Sequence, residues 1–443
     1  MARTGAATRC ARTAGTLLIG LIYVGLPRQA LSLSDPPART FTVCRLSERR
    51  VMVYDPRVEL GIGMHGMPDE QIALVRALGI RLVRHTMYWY QIENTEAPGR
   101  YDEKALGEWD SLVRRCDRQG IILEAVVHGN APGVSYRNRE AGYHRFARFM
   151  GDMARRYPSI RYWELWNEMD VAFTDLFGAQ AGVPLLERGK LYAEMLKTVT
   201  PAIREANPQA FVLTGGMTNW DEFPRGIYEG GGREYFDIMN LHTYGVPIVW
   251  SFLARGLWLR SVMQTYGDAD KPLWDTEFGI DAGNIVYPWG VPHDRGEDDA
   301  EALDRIHREQ WQACLDAALQ CGLYQKIVPY QFAAGNERND DGKLAQELRL
   351  PAGMTVDDLG FGLVRRDGLT PRPTYAWLRQ RDFNARLRDE LPRKVEVWLP
   401  QAAGLKPEGY AYERRDAALV VRDVPVSSDY PTVIGLAPEG PGG

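Results

Sequence analysis

Apolar positions along this chain follow two alternating rhythms. Short runs rich in Val, Ile, Leu and aromatic residues predict strands over 58–65, 80–84, 121–128, 160–165, 211–215, 236–242, 273–277 and 326–332. Longer stretches, in which apolar residues return every three or four positions, predict helices over 69–78, 103–119, 143–156, 185–206, 250–266 and 299–321. A last helix begins near Thr374. The strands at 211–215 and 236–242 follow one another with no helix predicted between them. Eight strands that mostly alternate with helices point to a (β/α)8 TIM barrel, because an open doubly wound sheet rarely keeps so even a rhythm. No glycine-rich phosphate loop follows the first strand, so a dinucleotide-binding fold has little support.

Two flanks stand outside this rhythm. Residues 40–44 and 50–54 read as short strands, and 395–399, 410–412 and 419–421 are β-like runs separated by turn residues. Segments this small are marginal alone, so the two ends are expected to pair and dock on the barrel as a small β-rich accessory element. The expected organisation is a signal peptide or membrane anchor over 1–34, an N-terminal β flank over 35–57, the barrel over 58–380 and a C-terminal β-rich segment over 381–443.

The first segment carries an address. Arg3, Arg9 and Arg12 precede an uncharged, mostly apolar stretch over 14–26. It is shorter than the ~20 residues a membrane span needs but suits the core of a secretory signal, and Ala30-Leu31-Ser32 offers small residues for cleavage. A cleaved signal and an uncleaved anchor both export the chain, to the periplasm or beyond, with inner-membrane attachment open. Cys10 would leave with the signal. Of the remaining Cys44, Cys116, Cys314 and Cys321, the last two lie on one predicted helix with ~10 Å of rise between them, too far to bridge. They are expected to face the barrel as small apolar residues, and no spacing resembles a zinc or disulfide framework.

Composition narrows the partners. With 45% hydrophobic and 25% charged residues over 443 positions, the chain belongs with globular proteins rather than disordered ones. A net charge of −5 argues against nucleic acid as a partner. A monomer is expected.

The candidate chemistry lies in two runs, Tyr162-Trp163-Glu164-Leu165-Trp166-Asn167-Glu168 and Pro272-Leu273-Trp274-Asp275-Thr276-Glu277-Phe278-Gly279. Each reads as a buried strand that ends in a glutamate. In a closed barrel Glu168 and Glu277 end the fourth and seventh strands and face each other across the C-terminal mouth. Either alone could be a solvated strand-end charge. Together they suit glycosidic bond cleavage, in which one carboxyl holds a proton for the leaving oxygen and the other faces the anomeric carbon. A separation of ~5–5.5 Å would retain anomeric configuration.

Trp166-Asn167-Glu168 resembles the Asn-Glu signature of clan A glycoside hydrolases, and Glu277 matches the position of their nucleophile. The resemblance implies acid/base catalysis by Glu168, nucleophilic attack by Glu277, a polysaccharide substrate and no cofactor. Asn167 is then suited to a hydrogen bond with a sugar 2-hydroxyl. Arg84 resembles the clan's second-strand arginine, which holds the nucleophile ionised. Tyr244, in Leu241-His242-Thr243-Tyr244-Gly245, resembles the sixth-strand tyrosine that hydrogen-bonds it. Phe361-Gly362-Leu363-Val364, Asp367-Gly368 and Pro371-Arg372-Pro373 resemble the clan's approach to its last helix, so the similarity spans roughly 58–379. Length, export and layout favour family 39 within the clan, especially its bacterial exopolysaccharide hydrolases. The chain departs from the clan at the eighth strand, where Tyr330-Gln331-Phe332 stands in place of the tryptophan that floors the sugar subsite.

Other residues have two readings each. His65 and His128 end the first and third strands and could line a subsite or serve as structural hydrogen-bond partners; His242 is expected one layer behind the substrate. A metal hydrolase would place two histidines two positions apart on the first strand, and Gly63-Met64-His65-Gly66 has one, so no metal is expected. Trp89, Trp166, Trp220, Tyr244, Tyr287 and Trp289 crowd the mouth. Trp89 and Trp289, on loops, are best placed to stack on sugar rings, whereas Trp166 and Trp274 are expected to pack. A long loop over 281–297 could wall the cleft. The resulting expectation is a retaining endo-glycosidase. An exo-acting glycosidase and a non-hydrolytic polysaccharide-binding protein of a secretion system are the alternatives.

Overall fold

The computed structural model describes residues 41–171, 176–245, 248–294, 296–334, 346–388, 393–400, 402–416 and 418–439. The expected signal or anchor and Cys10 lie outside the described residues. Among those described, no helix is long and apolar enough to cross a membrane.

Strands β1 (Thr42–Ser47) and β2 (Arg50–Tyr54) form an antiparallel hairpin. The first barrel strand follows in two pieces, β3 (Glu59–Leu60) and β4 (Ile62–Gly63). The remaining seven are β5 (Leu82–Tyr88), β6 (Ile122–His128), β7 (Tyr162–Asn167), β8 (Phe211–Gly216), β9 (Met239–His242), β10 (Leu273–Glu277) and β11 (Lys326–Ile327). They pair in parallel in the orders β4-β5-β6-β7-β8 and β3-β11-β10-β9. The passage from β3 to β4 joins the two sheets on one side, and parallel bridges between Leu213 and Ile238 and between Met217 and Leu241 join them on the other. The eight strands therefore close into a (β/α)8 barrel.

The helices between them are α1 (Asp69–Ala77), α2 (Glu103–Gln119), α3 (Arg139–Arg156), α4 (Leu185–Ala206), α5 (Glu222–Glu229), α6 (Ile248–Thr265), α7 (Ala282–Trp289), α8 (Asp299–Cys321) and α9 (Pro373–Arg381). Helix α2 shows the local logic. Asp102 caps its start by accepting from the Ala105 N–H, Leu106, Trp109, Val113 and Cys116 bury one stripe, and Gly120 ends it at a positive φ of 64°.

Three expectations are corrected here. Helix α5 fills the gap between β8 and β9 where none was predicted. Pro224 sits in its first turn, where the missing N–H is not needed, and Gly226 lets it cross α4 closely, since a Cβ there would collide with the Leu186 carbonyl and the Gly189 Cα. Breaker residues thus hid a helix that tertiary packing selects. The expected loop over 281–297 contains α7, begun by the Asp281 carboxylate accepting from the Asn284 N–H at 2.7 Å. Cys321 is exposed at the end of α8 rather than facing the barrel; Cys44, Cys116 and Cys314 are buried, and these four cysteines are free.

The tail supplies β12 (Arg393–Leu399), β13 (Leu405–Pro407), β14 (Tyr412–Arg415), β15 (Ala418–Val426) and β16 (Thr432–Pro438). Strand β16 pairs antiparallel with β2, giving a sheet ordered β1-β2-β16-β13, and β12-β15-β14 form a second sheet. Period-two alternation divides the hairpin's side chains. Cys44, Leu46, Met52 and Tyr54 bury against Leu82, Ile122, Tyr162, Phe211 and Trp274 at the beginnings of the barrel strands. Val51, Val53, Ile434 and Leu436 pack on Val397, Leu399, Leu419 and Val421 of the second sheet. The Tyr162 hydroxyl donates to the Asp429 carbonyl at 2.6 Å across this junction. The accessory sheets therefore stopper the N-terminal end of the barrel, opposite the mouth.

Candidate active site

The end of β7 departs from regular strand geometry. Tyr162 and Glu164 point into the barrel, but Trp166 has φ = 75°, and its ring turns outward between Phe146 and Phe177, edge-on to each with centroids 5.6 and 5.5 Å away. Glu168 also has a positive φ of 44°. Non-glycine residues seldom occupy this region, and holding two of them there costs of order 1–3 kcal/mol each. Gly215 on the neighbouring strand accommodates the turn, since a Cβ there would lie 2.6 Å from the Trp166 carbonyl. Asp170 then ties the loop to the one after β8, its Oδ2 accepting from the Thr218 N–H and Oγ1 at 2.8 Å each and from the Asn219 N–H. The strand end is bent so that Asn167 and Glu168 both reach the mouth.

Arg84, from the middle of β5, organises the site. Its guanidinium donates from Nε and Nη2 to Glu164 at 2.7 and 2.9 Å, from Nη2 to Asn167 Oδ1 at 2.8 Å, and from Nη1 to Glu277 Oε1 at 2.6 Å. The Tyr244 hydroxyl donates to the other Glu277 oxygen at 2.9 Å. His242 Nδ1 lies 2.9 Å from Glu168 Oε1 and 3.7 Å from Glu277 Oε2. Its ring fits because residue 216 is glycine; a Cβ there would overlap His242 Nε2. One oxygen from each of Glu168 and Glu277 and a ring nitrogen of His242 all lie within 4.8 Å of one another. That is the short spacing of retaining glycosidases, not the ~6.5–9.5 Å that leaves room for water in inverting ones.

The electrostatics separate the groups. Burial pushes the Glu277 carboxyl up, but His242, Arg84 and the Tyr244 hydrogen bond outweigh it and hold the pKa below the ordinary value. For His242, burial favours the neutral ring, and the Glu277 charge with the Glu168 contact reverses that, raising its pKa. The Nδ1–Oε1 contact to Glu168 needs one hydrogen, so a proton is held within reach of Glu168 whichever atom carries it. His128 is pushed down to about 4, by burial and then by Arg84, and stays neutral. Glu124, buried beside Glu164, is raised well above the carboxylate range by burial and by the Glu164 charge. The Glu168, His242 and Glu277 donor atoms are close enough to surround a cation, but Glu277 Oε1 accepts from Arg84, Glu277 Oε2 accepts from the Tyr244 hydroxyl, and His242 Nδ1 is engaged with Glu168 Oε1.

The structure thus brings Arg84, Asn167, Glu168, His242, Tyr244 and Glu277 together, with His242 in contact with the glutamates rather than a layer behind. His65 is exposed at the mouth, its Nε2 2.6 Å from the Tyr330 hydroxyl. His128 is half-buried beside Tyr88, ring centroids 5.1 Å apart. Trp89 is a correction. It begins a four-residue helical turn (Trp89–Ile92), is fully buried against Phe146 and Phe149, and donates from Nε1 to Glu93 at 2.7 Å. Its neighbours Tyr88 and Tyr90 occupy the rim instead, Tyr90 being 44% exposed. The side chain of Trp289 lies outside what the structure describes. Tyr287 is exposed, while Trp166 and Trp274 pack in the interior.

Sequence reasoning missed Glu164, Asp170, Tyr330 and Phe361. At the eighth strand Tyr330 stands with His65, Tyr244 and Phe361 in edge-on ring contacts of 5.3, 6.4 and 5.5 Å. The available signal for Glu164 was a charge in the middle of an apolar run, in register with inward-facing Tyr162.

A closed β/α barrel with two opposed carboxylates at its mouth defines a retaining glycoside hydrolase. The model of the cellulase family, glycosyl hydrolase family 5, matches residues 59–314, more than half of the chain, and the protein belongs to that family. Among curated proteins nothing matches. Solved structures share the fold. A family 39 glycoside hydrolase from the gut symbiont Bacteroides cellulosilyticus WH2 is 16% identical with a TM-score of 0.50, over 87% of this chain and 84% of that one. A β-glucosidase from Thermotoga maritima, in complex with azafagomine, is 14% identical with a TM-score of 0.50, over 71% and 86%. The likeness to family 39 is one of fold, while the family model places the chain in family 5 of the same clan.

Proposed function

We propose that this enzyme cleaves an exopolysaccharide internally by double displacement, with Glu277 as nucleophile and Glu168 as acid/base. The observation that carries this reading is the pair of carboxylates within 4.8 Å, one held ionised by Arg84 and Tyr244 and the other in contact with His242. Glu277 attacks the anomeric carbon while Glu168 gives its proton to the departing oxygen. Glu168 then takes a proton from water, whose oxygen attacks the same carbon and frees Glu277. One water is consumed for each bond cleaved. Asn167, anchored through Oδ1 to Arg84, has its amide nitrogen to offer a sugar hydroxyl. Exposed Tyr90, in the helical turn after the second strand, and Tyr287, on α7 after the seventh, offer ring faces on two sides of the mouth. Their placement supports a cleft that takes more than one sugar. The basic start and apolar stretch of the N-terminal sequence, read as an export signal, accord with a substrate outside the cytoplasm, and an exopolysaccharide is such a substrate.

The test is incubation of the purified protein and of Glu277→Gln with bacterial exopolysaccharides and plant glycans, following new reducing ends and product lengths. Mixed oligosaccharides from the wild type alone are expected. Single sugars only would replace endo with exo action, equal release by both proteins would remove Glu277 as nucleophile, and binding without release would favour a non-hydrolytic polysaccharide-binding role.

A further inference from the structure

Helix α6 shows an uncharged face to solvent. At about 100° per residue, Trp250, Leu257, Trp258, Ser261, Gln264 and Thr265 fall within one arc of about 120°. All six are exposed, Trp250 and Trp258 by 55% each and Leu257 by 51%. The opposite side, with Phe252, Leu259 and Met263, is buried in the barrel wall. The helix has no acidic residue, and its two arginines are engaged elsewhere. Arg255 lies over the Trp220 ring at 4.5 Å, and Arg260 donates to the carbonyls of Ala269, Lys271 and Leu323. Two large ring faces are thus left in water, where burial would ordinarily be favoured.

Three occupants can be weighed. A second copy of the chain would need roughly 800 Å² per partner. Three half-exposed side chains, even at about 250 Å² each in full, offer less than about 400 Å². A membrane surface would be met by a broad apolar face flanked by Lys and Arg on the polar side; here the flank is Ser, Gln and Thr, and neither arginine lies in the outward arc. A neutral glycan matches what remains. Its C–H faces pack on tryptophan rings, its hydroxyls suit Ser261, Gln264 and Thr265, and it brings no charge to a face that carries none. The face also adjoins the site: the Ser251 hydroxyl donates to the Tyr244 carbonyl at 2.8 Å, and Tyr244 in turn holds Glu277. Trp250, next to Ser251, is therefore near the rim, and Trp258 lies about 12 Å further along the helix axis.

We infer that the outward face of α6 is a second carbohydrate-binding surface, on which Trp250 and Trp258 hold a neutral polysaccharide chain beside the cleft. The inference rests on the polymer-cleaving reading above and deepens it: the surface would keep the enzyme on its substrate between cuts.

The experiment compares Glu277→Gln with Glu277→Gln carrying Trp250→Ala and Trp258→Ala, in native gels containing β-glucan, galactomannan or xylan. The double tryptophan change is expected to weaken retardation about tenfold on the glycan that retards the parent. In the active background the same change should leave kcat/KM on an aryl glycoside, and Tm, near wild type. Equal retardation of both proteins, or no retardation of the parent by any of the three glycans, would overturn the inference. So would tryptophan-dependent flotation with phosphatidylcholine–phosphatidylglycerol vesicles, or tryptophan-dependent dimerisation, without any change in the glycan gels. Because binding is read on inactive protein, failure here is separable from failure of the hydrolytic reading, which would show as no turnover of any glycoside by the wild type.

Discussion

Two buried ion pairs in the same barrel treat their glutamates in opposite ways. At the closed end, Lys326 on β11 pairs with Glu59 on β3 and donates to the Ser428 carbonyl at 2.7 Å. At the mouth, Arg84 spans Glu164, Asn167 and Glu277. Burial outweighs Lys326 and raises the Glu59 pKa, whereas His242, Arg84 and Tyr244 together outweigh burial and lower that of Glu277. An ammonium is a point charge, but a guanidinium is a rigid fork that can satisfy several acceptors at once. The comparison teaches that burial alone does not set a carboxylate's state; the number and geometry of its donors do.

The comparison can be broken most severely at Arg84. Arg84→Met should lower kcat/KM by about 10³ or more, and it should destabilise the fold by about 3–5 kcal/mol because Glu164 is left buried without its cation. A group that lowers the Glu277 pKa is then gone, so the acid limb of the kcat/KM profile should move to higher pH. An unmoved limb would show that Arg84 does not set the charge of Glu277. At the other end, Lys326→Met should cost about 3 kcal/mol in denaturant unfolding at neutral pH, with kcat/KM within about twofold of wild type. Its deficit should shrink as pH falls, because Glu59 can take up a proton. A large loss of activity there would erase the distinction between the two ends.

Smaller changes sharpen the contrast. Tyr244→Phe removes one hydrogen bond from Glu277 and should lower kcat/KM about tenfold, shifting the acid limb upward by less than with Arg84→Met. Glu124→Gln should be nearly neutral for activity. Since the Glu124 pKa is raised in the folded state, the folded protein holds a proton that the unfolded chain releases above about pH 4.3. Wild-type stability from this group therefore falls as pH rises, and the Tm difference should move in favour of the glutamine variant between pH 4.5 and 7.5. A Tm difference that moves toward the wild type would mean Glu124 is ionised in the fold.

Much of the barrel was legible because each strand is a short apolar run and most helices show a one-sided apolar period. The exceptions were local. Pro224 and Gly226 disguised α5, and Gly283 and Pro288 within the short stretch after the Asp281 cap disguised α7. In the site, strand-end positions pointed to Glu168 and Glu277, because in this fold the strand ends converge, while the family resemblance pointed to Arg84 and Tyr244. Direction was harder. Trp89 stands one residue beyond a strand end yet turns into the core, and Trp166 leaves the inward series through a positive φ that nothing in its neighbours announces.

The sequence by itself determined the alternation of strands and helices and the carboxylates at two strand ends, since both depend on side-chain chemistry at fixed short spacing. Only the tertiary structure decided that the two β flanks share a sheet and stopper the barrel, that Gly215 and Gly216 make room for a bent strand end and for His242, and that Arg84 reaches three acceptors at once. Those arrangements join residues tens to hundreds of positions apart. They arise from close packing, which local pattern does not encode.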